Sequence, residues 1–207
     1  MSDWSFPLPG RIFAWFNLTE DIIIFVKPEK REEKLDEAKQ SQSSLTQERL
    51  LQIINPVWNI YVPRSKKREH SAVMSLEVCS RLIEDYSFVG DVVLDPFCGT
   101  GTTLQAAQQL GRETNNYELM KYEKNRKQIG EALELLKSLE NNSVDLVFLD
   151  PQYEKVSTVL KLDYPLYPQS DYQIMRIIEQ AGRVLKPSSF CLLWINKGLL
   201  GSDRIAA

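Results

Sequence analysis

Apolar and polar positions along the chain switch between short β-type runs and longer stretches of helical spacing. Near the start, Arg11-Ile-Phe-Ala-Trp-Phe16 and Asp21-Ile-Ile-Ile-Phe-Val26 are β-branched and aromatic runs separated by Asn17-Leu-Thr-Glu20. Such a pattern predicts a hairpin or two neighbouring strands. The character then changes. Twelve of the 23 residues from Lys27 to Arg49 are charged, and Gln40-Ser-Gln-Ser-Ser44 interrupts them, which predicts a solvated helix or linker with little core value. The aromatic segment Pro56-Val-Trp-Asn-Ile-Tyr61 follows, and after it a basic cluster at Arg64, Lys66, Lys67 and Arg68. Ser75 is then placed to cap a helix in which Leu76, Val78, Cys79, Leu82 and Ile83 share one face.

The second half repeats one theme. Gly90-Asp-Val-Val-Leu-Asp95 reads as a turn and a short buried strand, running into a glycine loop and a helix (Leu104, Ala106, Ala107, Leu110) that stops at Gly111. A further strand ends near Tyr117 and Glu118, and Met120 to Leu139 is mostly helical in pattern, broken at Gly130. Val144-Asp-Leu-Val-Phe-Leu149 is another buried strand, ending on Asp150-Pro-Gln-Tyr153. A helix from about Asp171 to Leu185 precedes Lys186-Pro187 and the strand Phe190-Cys-Leu-Leu-Trp-Ile195. Strands alternating with helices predict an α/β fold, a largely parallel sheet with helices on both faces.

Composition narrows the class. The 207 residues carry 25 Lys and Arg against 28 Asp and Glu, a net charge of −3, so no bulk polycation grips nucleic acid here. With 43% hydrophobic and 26% charged residues, the chain is long enough to bury a core. Three scattered cysteines suit a reducing cytoplasm better than a disulfide framework, and a single histidine, His70, argues against a metal site. No leader and no apolar run long enough for a membrane span is visible. The expectation is one soluble catalytic domain over 1–207, with 27–69 a charged linker and basic segment inside it and no distinct target-recognition domain.

The chemistry concentrates at two places. Asp95-Pro-Phe-Cys-Gly-Thr-Gly-Thr-Thr103 lacks the Lys of a P-loop, because Thr102 and Thr103 follow the last glycine. It also lacks the third small residue of a dinucleotide fingerprint, since Leu104 stands there. What remains is a carboxylate at a strand end, a tight turn at Gly99 and Gly101, and hydroxyls at a helix start. That set suits a ligand with a charged amino-acid end and a ribose. Glu118, 17 residues after Gly101 at the end of the next strand, is placed to accept from ribose hydroxyls. In Asp150-Pro-Gln-Tyr153, the Asp150 carboxylate and the Pro151 carbonyl offer two acceptors and Tyr153 an aromatic face. An exocyclic amine on a flat base, lifted from the duplex stack, needs both.

Together these residues resemble the amino-group (N6-adenine or N4-cytosine) DNA methyltransferases that use S-adenosylmethionine, over roughly Trp58 to Ile195. Asp95, Pro96, Phe97, Cys98, Gly99, Gly101, Thr102 and Thr103 are similar to that family's cofactor loop. His70 and Ser71 resemble its His-Pro-Ala segment, Glu118 its acidic ribose ligand, and Asp150, Pro151, Gln152 and Tyr153 its catalytic Asp-Pro-Pro-Tyr. An Asp at the first position of that tetrapeptide favours adenine N6. The resemblance implies a Rossmann-like methyltransferase fold with a mostly parallel seven-stranded sheet carrying one antiparallel strand, and site-specific methyl transfer from S-adenosylmethionine to adenine N6 in DNA. It implies no covalent intermediate, so Cys98 is not read as a nucleophile. Cytosine N4, an RNA amine, or a silent cofactor- or DNA-binding module are the alternatives. Arg64, Lys66, Lys67 and Arg68 are candidate phosphate contacts.

Two departures stand out. Gln152 and Ser71 replace prolines of the family's motifs. The two halves also come in exchanged order relative to the family's β group, where the tetrapeptide half comes first. A circularly permuted β arrangement is the expectation, with the two ends of the chain on one helix beyond the strand at Phe190.

Overall fold

The structure is a computed structural model that describes residues 20–28, 37–55, 58, 60, 74–99, 101–114, 132–151 and 171–196. Four strands form one mixed sheet: β1 (Glu20–Val26), β2 (Val93–Leu94), β3 (Val144–Leu149) and β4 (Leu185–Asn196), in the order β1-β4-β3-β2. β2, β3 and β4 run parallel, and β1 lies antiparallel on β4, with Glu20 opposite Asn196 and Val26 opposite Phe190. The expected α/β architecture is therefore present as a four-stranded mixed sheet among the described residues.

Period-two alternation gives this sheet two buried faces. Ile22 and Ile24 of β1, Leu146 and Phe148 of β3 and Leu192 of β4 pack on one side. That side is covered by α3 (Leu76–Tyr86) and α4 (Thr102–Gln109), through Val78, Cys79, Leu82, Ile83, Ala106 and Ala107. Phe25, Val147, Leu149, Cys191 and Leu193 pack on the other side, against α5 (Ala132–Ser138) and α6 (Asp171–Val184). Every residue of β3 is buried, which is why its sequence reads as a continuous apolar run broken only by Asp145. The Asp145 carboxylate has partners on both sides. It accepts from the Val92 amide at 3.0 Å and from Lys186 Nζ at 2.7 Å, joining the three parallel strands at one end.

Several boundaries depart from the sequence expectation. Ser75 does stand at the N-cap of α3, but its hydroxyl makes no capping bond; its carbonyl accepts from the Cys79 amide instead. β4 starts at Leu185 and runs through Pro187, where a strand start near Phe190 was expected. Between Leu185 and Phe190 its register against β3 slips, and Ser188 has φ +58. Such a bulge absorbs a proline that has no N–H to give the ladder. Lys27 holds the bulge, its carbonyl accepting from the Ser188 amide while its amide donates to the Ser189 carbonyl.

The charged stretch is only partly a solvated linker. It forms α1 (Glu37–Gln42), with no buried residue, and leads into α2 (Gln47–Ile54), which buries Ile53. Arg49 of α2 donates to Glu77 Oε1 and Glu84 Oε2 of α3, both at 2.7 Å. Trp58 seals this corner, its indole N–H donating to the Ile53 carbonyl at 3.1 Å while the Arg81 guanidinium lies 5.2 Å from the ring centroid. The segments at 11–16 and 117–130 lie outside the described residues. Among the described residues, no helix is long and apolar enough to cross a membrane.

Arg112 fixes α3 against α4 at the end away from the glycine loop. Its buried guanidinium donates to Ser87 Oγ (3.1 Å), to the Ser87 carbonyl (2.7 Å) and to the Leu110 carbonyl (2.8 Å). Arg112→Met keeps the stem and strips these donors from buried acceptors. It is expected to lower stability by about 2–4 kcal/mol, read from the urea midpoint; a change under about 0.5 kcal/mol would show that the three bonds contribute nothing net.

Candidate functional site

Parallel pairing of β2 with β3 sets Val93 beside Leu146 and Leu94 beside Val147. Asp95 and Asp150, the residues that follow these strands, therefore leave the sheet at the same edge. That edge, at the carboxyl ends of parallel strands, is where ligands meet open α/β sheets.

The Asp95 carboxylate is buried. It accepts from the Phe97 amide at 2.9 Å, a local turn that folds the loop back over the strand end. The Thr103 hydroxyl of α4 also favours its charged form. Burial raises its pKa from 3.8 to about 6, against the lowering effect of those two donors. Among the described residues the partners of Asp95 are thus neutral, and its charge is only partly compensated.

The loop between them is built on left-handed glycines. Gly99 has φ +51 and Gly101 φ +83, and the Gly101 amide donates to the Cys98 carbonyl at 2.6 Å. Gly101 is also the N-cap of α4, so the chain reverses and enters the helix within one residue. A side chain at φ +83 would be strained, which accounts for glycine there. Pro96, Phe97 and Cys98 are half-buried and Gly99 is exposed. Phe97 packs toward the α5–α6 side, whereas Thr103 is buried on the α3–α4 side, so the loop straddles the sheet edge. Thr102 is half-buried in the first turn of α4.

Two thiols border this site. Burial, followed by the charge of Asp95, pushes the Cys98 thiol up to about 12. A thiol that stays protonated is a poor nucleophile, in line with the reading of Cys98 as a loop residue. Cys79 is the residue that sequence reasoning placed only in the core. Its Sγ lies 3.8 Å from Thr103 Oγ1, and burial, then the charges of Asp95 and Asp150, raise its pKa to about 12. No spacing in the sequence announces it, because the contact joins two helices 24 positions apart. The charges of both Asp95 and Asp150 act on the Cys79 thiol.

Asp150 is half-buried at the end of β3 and Pro151 is buried. Of the remaining sequence-predicted residues, His70, Ser71, Glu118, Gln152, Tyr153, Arg64, Lys66, Lys67 and Arg68 lie outside the described residues.

Residues 14–132 match the family model of the N6/N4 DNA methylases. The match takes in the glycine loop and position 118 and stops before Asp150. A Type II methyltransferase, M.MjaI of Methanocaldococcus jannaschii, is 36% identical over 117 residues, covering 55% of this chain and 38% of its own. M.MthZI of Methanothermobacter thermautotrophicus, also a Type II methyltransferase, is 38% identical over 108 residues, 48% of this chain and 30% of its own. The chain spans about a third of the length of these two relatives. Among solved structures, the DNA modification methylase TTHA0409 of Thermus thermophilus, complexed with S-adenosyl-L-methionine, overlaps with 28% identity and a TM-score of 0.42, over 53% of this chain and 46% of that one.

Proposed function

The chain belongs to the N6/N4 DNA methylase family, and from that premise we propose that it is a site-specific DNA methyltransferase moving a methyl group from S-adenosylmethionine to the N6 amine of adenine. The observation that carries this reading is that Asp95, which opens a glycine loop, and Asp150, the first residue of an Asp-Pro step, both follow the carboxyl ends of adjacent parallel strands.

The residues present fit the cofactor. Asp95 is a buried carboxylate whose described partners are neutral, and a cationic α-amino group supplies the charge it lacks. The open backbone at Gly99 leaves room for close approach, and Glu118 is the candidate ribose ligand. His70 and Ser71 are proposed to border the methionine end. When bound, S-adenosylmethionine supplies an electrophilic methyl group on a sulfonium.

The remaining work falls to the protein. The Asp150 carboxylate and the Pro151 carbonyl accept the two N–H bonds of the exocyclic amine, turning its lone pair toward the methyl group. As the nitrogen–carbon bond forms and the carbon–sulfur bond breaks, positive charge grows on the amine nitrogen beside the Asp150 carboxylate. The surplus amine proton then leaves to solvent. Tyr153 stacks on the flipped base, and alignment supplies most of the acceleration. An Asp at the first position of Asp150-Pro-Gln-Tyr153 supports adenine N6 over cytosine N4. Arg64, Lys66, Lys67 and Arg68 are assigned to DNA phosphates, and with a net charge of −3 the binding should be weak and salt-sensitive. Free thiols at Cys79, Cys98 and Cys191 support a reducing, cytoplasmic setting.

The antiparallel seat of β1 on β4 supports the permuted reading, because the early strand lies directly against the late one. The full reading is a seven-stranded methyltransferase sheet of which four strands are described. Incubation with methyl-labelled S-adenosylmethionine should label duplex DNA and leave ribosomal RNA unlabelled. Label in RNA alone would move the function to an RNA amino-methyltransferase; cofactor binding without any transfer would mark a silent module.

A further inference from the structure

We propose that Trp194 forms a wall of the pocket for the target base, an aromatic face set beside Asp150 on the neighbouring strand. This inference rests on the reading of Asp150 as the acceptor of the exocyclic amine. The register brings the two residues together. β3 and β4 run parallel, with Val147 beside Cys191, Phe148 beside Leu192 and Leu149 beside Leu193. One further step along both chains sets Asp150 level with Trp194, about 5 Å away across the strands. Alternation then sends both side chains to one face of the sheet. Phe148 and Leu192, two residues earlier, lie in the core under α3 and α4, and Trp194 packs against that same core. Asp150 goes the same way, and its charge acts on Cys79 of α3.

Strand order gives each residue its share of the site. β3 stands between β2 and β4, so Asp150 is central, with Asp95 on the β2 side and Trp194 on the β4 side. Leu94 beside Val147 brings Asp95 level with Phe148, on the same face and one pleat deeper than Asp150. A cofactor held by Asp95 therefore reaches Asp150 from the β2 side. The amine of the base meets it at Asp150, and the ring that carries the amine extends the other way, over the end of β4. Trp194 is what the sheet offers there. Its partner on β1, Ile22, is 2% exposed, and Leu192 and Leu193 before it are buried, yet the Trp194 side chain is only half-buried. A large indole left partly open beside a carboxylate suits a flat ring that brings its own donors. The indole takes the plane of the ring and Asp150 takes its N–H bonds. Trp194 thus adds a second aromatic residue to the one already assigned to the base, Tyr153.

The test uses Trp194→Leu, which keeps an apolar side chain on the strand and removes the aromatic face, and Trp194→Phe, which keeps a face. Trp194→Met serves should the leucine variant fail to fold. Each is assayed for methyl transfer from labelled S-adenosylmethionine to mixed-sequence duplex DNA, for S-adenosylhomocysteine affinity by calorimetry, and for stability in urea. Trp194→Leu should lower kcat/KM for DNA by about 10- to 100-fold, the usual effect of losing one base–aromatic stack. Its S-adenosylhomocysteine affinity should change by less than about threefold, because the loss falls on the base and not on the cofactor. Trp194→Phe should recover most of the rate. A folded Trp194→Leu protein with the wild-type kcat/KM for DNA overturns the inference. So does an equal loss of S-adenosylhomocysteine affinity, which would give Trp194 to the cofactor or to the fold. Absence of methyl transfer to DNA by the wild type would overturn the reading of Asp150 itself, a failure visible before any variant is made.

Discussion

Asp150→Ala is expected to lower the rate of methyl transfer by about 10³-fold or more while changing cofactor affinity by less than about threefold. The asymmetry follows from position. Asp150 stands at the end of β3, outside the loop that runs from Asp95 to Thr103, and its proposed partner is the amine of the base. Its carboxylate helps most when positive charge appears on the amine nitrogen, so the loss falls on the transition state and little on cofactor binding. Truncation at a strand end exposed on one side leaves the all-buried strand itself intact. Single-turnover transfer measured beside calorimetric cofactor affinity separates the two effects. Equal loss of both would contradict the role given to Asp150.

Asp95→Asn should have the opposite signature, a more stable protein that no longer holds the cofactor. The carboxyl titrates at about 6 in the folded protein against 3.8 for an unperturbed group, so the folded state binds its proton more tightly than the unfolded state. Its stabilising contribution is therefore present below the unfolded value and is lost as pH rises through about 6. Above that, the fold carries an ionised carboxylate in a buried place, a burden of up to about 3 kcal/mol from a shift of roughly two units. Asparagine removes the charge and keeps the shape. The variant should gain stability at about pH 8, gain nothing near about pH 4, and bind cofactor at least about 100-fold more weakly. Urea unfolding at both pH values reads the stability. A variant less stable than the wild type at the higher pH would mean that the carboxylate serves the fold rather than the ligand. Saturating cofactor should reverse the order, because only the wild type gains from binding.

The parts of this site that the sequence made legible are those whose physics is local. Gly99 and Gly101 announce a left-handed turn, and they take positive φ. Val144 to Leu149 announces a strand buried on both faces, and every residue in it is buried. Asp95 and Asp150 follow from these, since a polar residue directly after such a strand stands at its carboxyl end. What escaped was tertiary. Among the described residues the partner of β1 is β4, at the far end of the chain, a pairing that no local pattern announces, while the run at 11–16, expected as a hairpin partner or neighbouring strand, lies outside the described residues. The charge of Arg49 reads as solvation in a stretch with 12 charged residues, and only the packing of α2 on α3 turns it into a clamp on Glu77 and Glu84. Pro187 suggested a strand boundary, yet a bulge let the strand pass. Cys79 looked like one more apolar position on α3. Its contact with Thr103 exists only once α3 and α4 lie side by side over the sheet.

The central claim is that the two carboxylates bring a cofactor methyl group to an adenine amine in DNA. Digestion to nucleosides after incubation of the protein with methyl-labelled S-adenosylmethionine and mixed-sequence duplex DNA at low salt tests it most directly. The label should appear in N6-methyladenine and depend on Asp150. Label in N4-methylcytosine, or in no DNA nucleoside, would contradict it.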